Sequence, residues 1–204
     1  MEKILFFVLF LISLAVHSSV TVQSGQEKAT MCAACHGPTG VSMNPMWPNL
    51  AGQHAAYLVK QLRDIKTGSL RHADIMMPFV ASLSDDDMAS LALFYSKQPP
   101  SIPGGAQQEE PRGVQLYRMG DVEKKITACI ACHGPSGTGN EEAGFPSLTG
   151  QHASYAIQQL QAFKENTRQN DLNAIMRTIS ARMSMEDMKA VADYLAEQDQ
   201  RGSR

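Results

Sequence analysis

The sequence predicts an all-α protein built as two tandem domains of a few helices each. Three observations carry this. The chain is written twice, apolar residues recur at helical rather than strand spacing, and a proline-rich stretch separates the two copies. The repeat is plainest at Cys32-Ala33-Ala34-Cys35-His36-Gly37-Pro38, which returns as Cys129-Ile130-Ala131-Cys132-His133-Gly134-Pro135. Leu50-Ala51-Gly52-Gln53-His54 returns as Leu148-Thr149-Gly150-Gln151-His152, and Tyr57, Gln61 and Leu62 return as Tyr155, Gln159 and Leu160. Ile75-Met76 matches Ile175-Met176, and Ser84, Asp87, Met88 and Ala92 match Ser184, Asp187, Met188 and Ala192. Order is kept and the offset barely drifts, which marks an internal duplication.

The leading residues form a separate object. Glu2 and Lys3 precede an apolar run over residues 4–16, followed by His17, Ser18 and Ser19. A charged start, about a dozen apolar residues and small residues after them describe a secretory signal peptide, assigned to residues 1–19. The run is shorter than the roughly 20 residues that usually span a bilayer. Export is therefore expected, to the periplasm in a bacterium. A retained anchor is the alternative, and nothing else in the chain requires membrane association.

The N-terminal domain is expected over residues 20–98. A short helix at 26–31 should lead into the first cysteine pair. A second, at 54–66, turns Tyr57, Leu58, Leu62 and Ile65 inward and is stopped by Gly68. A third carries Met88, Leu91, Ala92 and Tyr95 at i, i+3, i+4, i+7 spacing. Ser84 with Asp87 has the spacing of a helix cap, and three acids from Asp85 to Asp87 suit the positive end of a helix. Residues 99–111 hold Pro99, Pro100, Pro103, Gly104, Gly105 and Pro111. Proline fixes φ and lacks an N–H, so this stretch reads as a linker. The C-terminal domain, 112–204, repeats the scheme with helices at 113–118 and 152–164, and with Met188, Val191, Ala192 and Leu195 behind Ser184 and Asp187. Domains this small often need a metal or a covalent staple.

The net charge of −2 carries no basic surplus for nucleic acid, and 43% apolar residues rule out global disorder. All four cysteines lie in two Cys-x-x-Cys-His motifs. Unpaired thiols seldom persist outside the cytosol. Cys-x-x-Cys-His is the attachment pattern of c-type haem: two cysteines three apart reach the two vinyl groups of one porphyrin edge, and the following histidine is held under the iron. Two covalently bound haem c groups are expected, at Cys32 and Cys35 and at Cys129 and Cys132, with His36 and His133 as axial ligands. A zinc site would need four ligands brought together from separate repeats. A thioredoxin-like pair would come with a βαβ pattern. A disulfide framework explains neither histidine.

The second axial ligand is chosen by the repeat. Met76 matches Met176, whereas Met77 matches Arg177, so Met76 and Met176 are assigned and Met77 remains the competitor at the first site. His54 and His152 are also matched and leave a bis-histidine alternative open; His72 has no counterpart. Methionine with histidine raises the reduction potential and fills both axial positions. That describes an electron carrier, not an enzyme. Pro48 and Pro146 are candidates to accept the axial imidazole N–H. Tyr57, Tyr155, Gln53 and Gln151 are candidates to hydrogen-bond haem propionates.

These residues resemble the cytochrome c4 family, dihaem periplasmic cytochromes of two class I domains. The likeness rests on the doubled Cys-x-x-Cys-His-Gly, on Pro-x-Leu-(Ala/Thr)-Gly-Gln-His in both copies, on the Tyr-x-x-x-Gln-Leu helix and on Ile-Met ahead of the capping serine. The resemblance implies two tandem class I cytochrome c domains, each wrapped around one haem, with Met76 and Met176 on iron. It also implies electron passage from a quinol-oxidising cytochrome complex to a terminal oxidase. Met76-Met77-Pro78 departs from the pattern of the second copy. Two other readings stand beside it. One is the haem subunit of a sulfide-oxidising flavocytochrome or similar dehydrogenase complex, with a flavoprotein partner. The other is a dihaem peroxidase, which needs an exchangeable iron ligand.

Overall fold

The computed structural model describes residues 19–101 and 110–197. The expected signal peptide, save its last residue, and the middle of the linker lie outside the described residues. The N-terminal half comprises α1 (Val22–Ala29), α2 (Ala33–His36), α3 (Ala55–Thr67), α4 (Met77–Val80) and α5 (Asp85–Ser96). The C-terminal half repeats them as α6 (Pro111–Arg118), α7 (Ile130–His133), α8 (Ala153–Lys164), α9 (Ile175–Ser180) and α10 (Met185–Glu197). Single 3-10 turns, Asp74–Met76 and Leu172–Ala174, lead into α4 and α9. Among the described residues there is no strand, only isolated bridges; one of these joins Arg71 to Arg168, across the two halves.

Each half is organised around its last helix. Met88, Leu91, Ala92 and Tyr95 on α5 are all buried, and so are Met188, Val191, Ala192 and Leu195 on α10. The 3.6-residue period gathers them on one stripe, which α1 and α3 cover in the first half and α6 and α8 in the second. Ser84 caps α5 in a reciprocal box with Asp87, and Ser184 with Asp187 does the same for α10. Asp187 also binds Arg112 of α6 at 2.6 Å and Lys124 at 2.7 Å. Burial opposes its charge, but Lys124, the Ser184 N–H and Arg112 hold its carboxyl well below the usual range. Lys28 of α1 pairs with Asp87 at 2.6 Å, so the cap is tied to the first helix in each half.

Where the first and last helices cross, only glycine fits. A Cβ on Gly113 would lie 2.3 Å from the Ala190 carbonyl oxygen, and one on Gly25 2.0 Å from that of Ser90. Both neighbours are backbone and cannot swing aside. Gly113→Ala is therefore expected to cost about 1–3 kcal/mol, as overpacked sites do, and to lower the guanidinium midpoint of unfolding. An unchanged midpoint would show that the crossing is looser than described.

The first helix of each half starts earlier than expected. The helix expected at 26–31 runs over Val22–Ala29, because the Thr21 hydroxyl caps the Ser24 N–H at 3.0 Å and fixes its start there. Helix α6 begins at Pro111, inside the expected linker. Proline suits the first helical position, and the Glu110 carboxylate accepts the Gly113 N–H. The stop at Gly68 stands as expected: it adopts φ 68° and its N–H returns to the Asp64 carbonyl at 3.0 Å.

Candidate functional site

Each Cys-x-x-Cys-His motif folds into one tight helical turn, α2 or α7. The His36 N–H donates to the Cys32 carbonyl at 2.9 Å and the His133 N–H to that of Cys129 at 3.0 Å. Residues three and four apart share a helix face, so both cysteines and the histidine point the same way. Gly37 (φ 75°) then reverses the chain; a Cβ there would sit 2.1 Å from the Val41 carbonyl oxygen. The loop returns to place Pro48 beside the imidazole. His36 Nδ1 lies 2.9 Å from the Pro48 oxygen, and His133 Nδ1 lies 3.0 Å from that of Pro146. A carbonyl only accepts, so Nδ1 carries the proton in both rings and Nε2 keeps its lone pair. Burial pushes both imidazoles below their ordinary pKa, against the pull of the proline carbonyls. They are neutral at pH 7, the form a metal needs.

The sequence-assigned residues come together around one cavity of about 1360 Å³, shared by the two halves. Cys32, Cys35, His36 and Met76 line it from one side of the molecule, and Cys129, Cys132, His133 and Met176 from the other. Met76 and Met77 both pack against the N-terminal core, but Met77 does not line the cavity. His54 and His152 do not line it either. They begin α3 and α8, and the His152 Nε2–H donates to the Ser42 carbonyl of the other half at 3.0 Å. His72 sits exposed at the rim. Burial pushes the Cys129 thiol up to about 11 and raises that of Cys32. Redox-active thiols are depressed instead, which argues against a thioredoxin-like pair.

Where the halves meet, the walls turn polar. Arg168 is only 6% exposed, yet every hydrogen-bond acceptor it reaches is neutral. Its guanidinium donates to the Tyr57 hydroxyl at 2.9 Å, Gln61 at 3.0 Å, Gln159 at 2.7 Å and Asn170 at 2.9 Å. Arg71 mirrors it, donating to the Tyr155 hydroxyl at 2.9 Å. Each tyrosine thus accepts from an arginine, and among the described residues no acceptor takes either hydroxyl proton. Burial would raise the Tyr57 pKa, but the Arg168 and Arg71 charges hold it below its ordinary value. Asp171 adds a favourable charge nearby, but the oxygens that Arg168 hydrogen-bonds are neutral, so a carboxylate arriving from the cavity would find an unmatched cation there.

This donor set fits haem. Two thiols, a neutral imidazole and a thioether from each half line one largely apolar cavity, together with Arg71, Arg168, Tyr57 and Tyr155, which could receive propionates. Arg71 and Arg168 lie outside the sequence expectations: they are 97 apart, short of the 98 and 100 of the matches on either side, so the repeat does not pair them, and the bridge between the halves is what brings them together. Gln53 and Gln151, expected on propionates, have both ends of their amides engaged by backbone of the opposite half.

The cytochrome c family model matches residues 22–97 and again 112–199. Cytochrome c4 of Azotobacter vinelandii is 41% identical over 188 residues, covering 88% of this chain and 90% of that one. The chain belongs to the cytochrome c4 family. The crystal structure of reduced recombinant cytochrome c4 from Pseudomonas stutzeri superposes with a TM-score of 0.84 at 38% identity, over 89% of this chain and all of that one. A thiosulfate dehydrogenase electron acceptor of Stutzerimonas stutzeri is 40% identical over 182 residues, 87% of this chain and 83% of that one. As a member of the cytochrome c4 family the protein is a dihaem electron carrier, not an enzyme, and each of its two domains binds one covalent haem c.

Proposed function

We propose that the chain is a periplasmic relay that accepts single electrons from a quinol-oxidising cytochrome complex and delivers them to a terminal oxidase. We assign haem attachment to Cys32 and Cys35 and to Cys129 and Cys132, and axial ligation to His36 with Met76 and to His133 with Met176. The observation that carries this is the pair of buried, neutral imidazoles, each with Nδ1 tied to a proline carbonyl, lining the same cavity as a methionine from the matched position of the repeat. The haem supplies the one-electron centre. The protein fixes the tautomer and aim of each imidazole through Pro48 and Pro146, raising its basicity. Met76 and Met176 would hold the iron through their thioethers, which would leave no place for a substrate and favour the reduced state. The apolar walls would exclude water, and Arg71 and Arg168 would offset the charge of propionates placed between the halves. Two thioether ligands would also disfavour the peroxidase reading.

A second donor is favoured by the likeness to a thiosulfate dehydrogenase electron acceptor. In that reading a dehydrogenase, not the quinol-oxidising complex, reduces the chain. The flavocytochrome alternative shares this logic with a flavoprotein as donor.

Stopped-flow reduction of the oxidised holoprotein separates the readings. Rapid reduction by a quinol-oxidising cytochrome complex, followed by reoxidation by a terminal oxidase, is expected. Reduction only by a dehydrogenase with its substrate would move the donor assignment to the second reading. Reduction by neither would overturn both.

A further inference from the structure

We infer that each axial histidine is tuned from the opposite domain, through a glutamine that grips the peptide to which the imidazole is bound. The residues are Gln53 and Gln151, matched in the repeat and crossed in space. Gln151 Oε1 accepts the Asn49 N–H at 2.9 Å, and its Nε2 donates to the Asn49 carbonyl at 2.9 Å. Gln53 does the same to Ser147 of the C-terminal half, with both distances 2.9 Å.

The peptide joining Pro48 to Asn49 explains why this matters. Its N–H belongs to Asn49 and points at Gln151. Its C=O belongs to Pro48 and accepts the His36 Nδ1–H at 2.9 Å. One planar amide therefore links the glutamine of one domain to the axial imidazole of the other. The peptide between Pro146 and Ser147 links Gln53 to His133, where the Nδ1 contact is 3.0 Å.

An amide whose N–H is hydrogen-bonded has a more negative oxygen, because the two groups share one conjugated system. The Pro48 carbonyl becomes the better acceptor, the His36 Nδ1–H bond is drawn out further, and Nε2 becomes more basic. A more basic axial nitrogen favours ferric iron. Each glutamine thus lowers the potential of the iron in the domain it does not belong to. One member of each pair is buried, which limits the water that can substitute: Asn49 is 7% exposed opposite Gln151, and Gln53 is 8% exposed opposite Ser147; the Asn49 amide donates further to the Gly150 carbonyl at 2.8 Å.

Gln53 and Gln151 are positioning residues, and the crossing makes their role testable. The inference rests on the assignment of His36 and His133 as ligands. The holoprotein is labelled with ¹⁵N-histidine. The two axial Nδ1–H resonances are assigned through their neighbours, Pro48 and Pro146, and each haem is titrated potentiometrically by its own NMR signals. Gln151→Leu is expected to shift the His36 Nδ1–H resonance and raise the potential of the N-terminal iron, with the His133 resonance in place. Gln53→Leu should do the reverse. Gln151→Asn keeps an amide but falls one methylene short, and should reproduce Gln151→Leu if that variant does not fold. An effect confined to the glutamine's own domain, or equal at both irons, overturns the relay and leaves the ligands standing. A parent protein in which neither ring is held on iron overturns the ligand assignment, and the relay with it.

Discussion

Replacing Cys129 and Cys132 together by serine removes one haem, unfolds the C-terminal half and leaves the N-terminal haem in place. The size of the effect follows from how much of the C-terminal core faces the cavity. Leu160, Ile179 and Val191 line it, and each would lose up to about 1.5–3 kcal/mol of burial once nothing covers it, a large share of the roughly 5–15 kcal/mol that holds a whole domain. The N-terminal half keeps α1 against α5 and its own attachment turn. Haem absorbance per polypeptide should fall by half, with about half of the helical signal lost in far-ultraviolet circular dichroism. The mirror double substitution at Cys32 and Cys35 should spare the C-terminal haem. A variant that retains two haems, or full helix content with one, would contradict the account.

The second large effect is at the methionines. Met76→Ala is expected to abolish half of the sulfur-to-iron absorption near the red edge of the visible and to lower the potential of the N-terminal haem, since the thioether favours reduced iron. Met176→Ala should take the other half. Met77→Leu should leave the band intact and cost less than about 1.5 kcal/mol, because Met77 packs against the core and the swap conserves volume. The three variants are compared in the oxidised spectrum and by potentiometry. Loss of the band in Met77→Leu, with retention in Met76→Ala, would transfer the ligand assignment to Met77.

Much of this was legible because local chemistry and tertiary role coincide. The Cys-x-x-Cys-His turn needs only five residues, and the stripes on α5 and α10 follow directly from helical period. Gly68 ends α3 because its φ of 68° is what such a stop requires. The repeat favours Met76 over Met77, and of the two only Met76 lines the cavity. What stayed hidden depends on the two halves meeting. Arg71 and Arg168 are single residues in loops, with no motif around them, and only the bridge between the halves brings them together. Gln53 and Gln151 were visible as a matched pair, but an amide fits a propionate and a peptide equally well. Only the crossed hydrogen bonds decide between them. Helix α1 starts before the expected residue 26 because the Thr21 hydroxyl caps the Ser24 N–H, a signal held in a single side chain.

The mass of the holoprotein tests the central claim most directly. The account predicts the mass of the polypeptide, as its N-terminal sequence defines it, plus two haems, held through denaturation, with the added mass mapping to peptides containing Cys32 with Cys35 and Cys129 with Cys132. A chain carrying no such addition, made in cells able to attach haem, would contradict it.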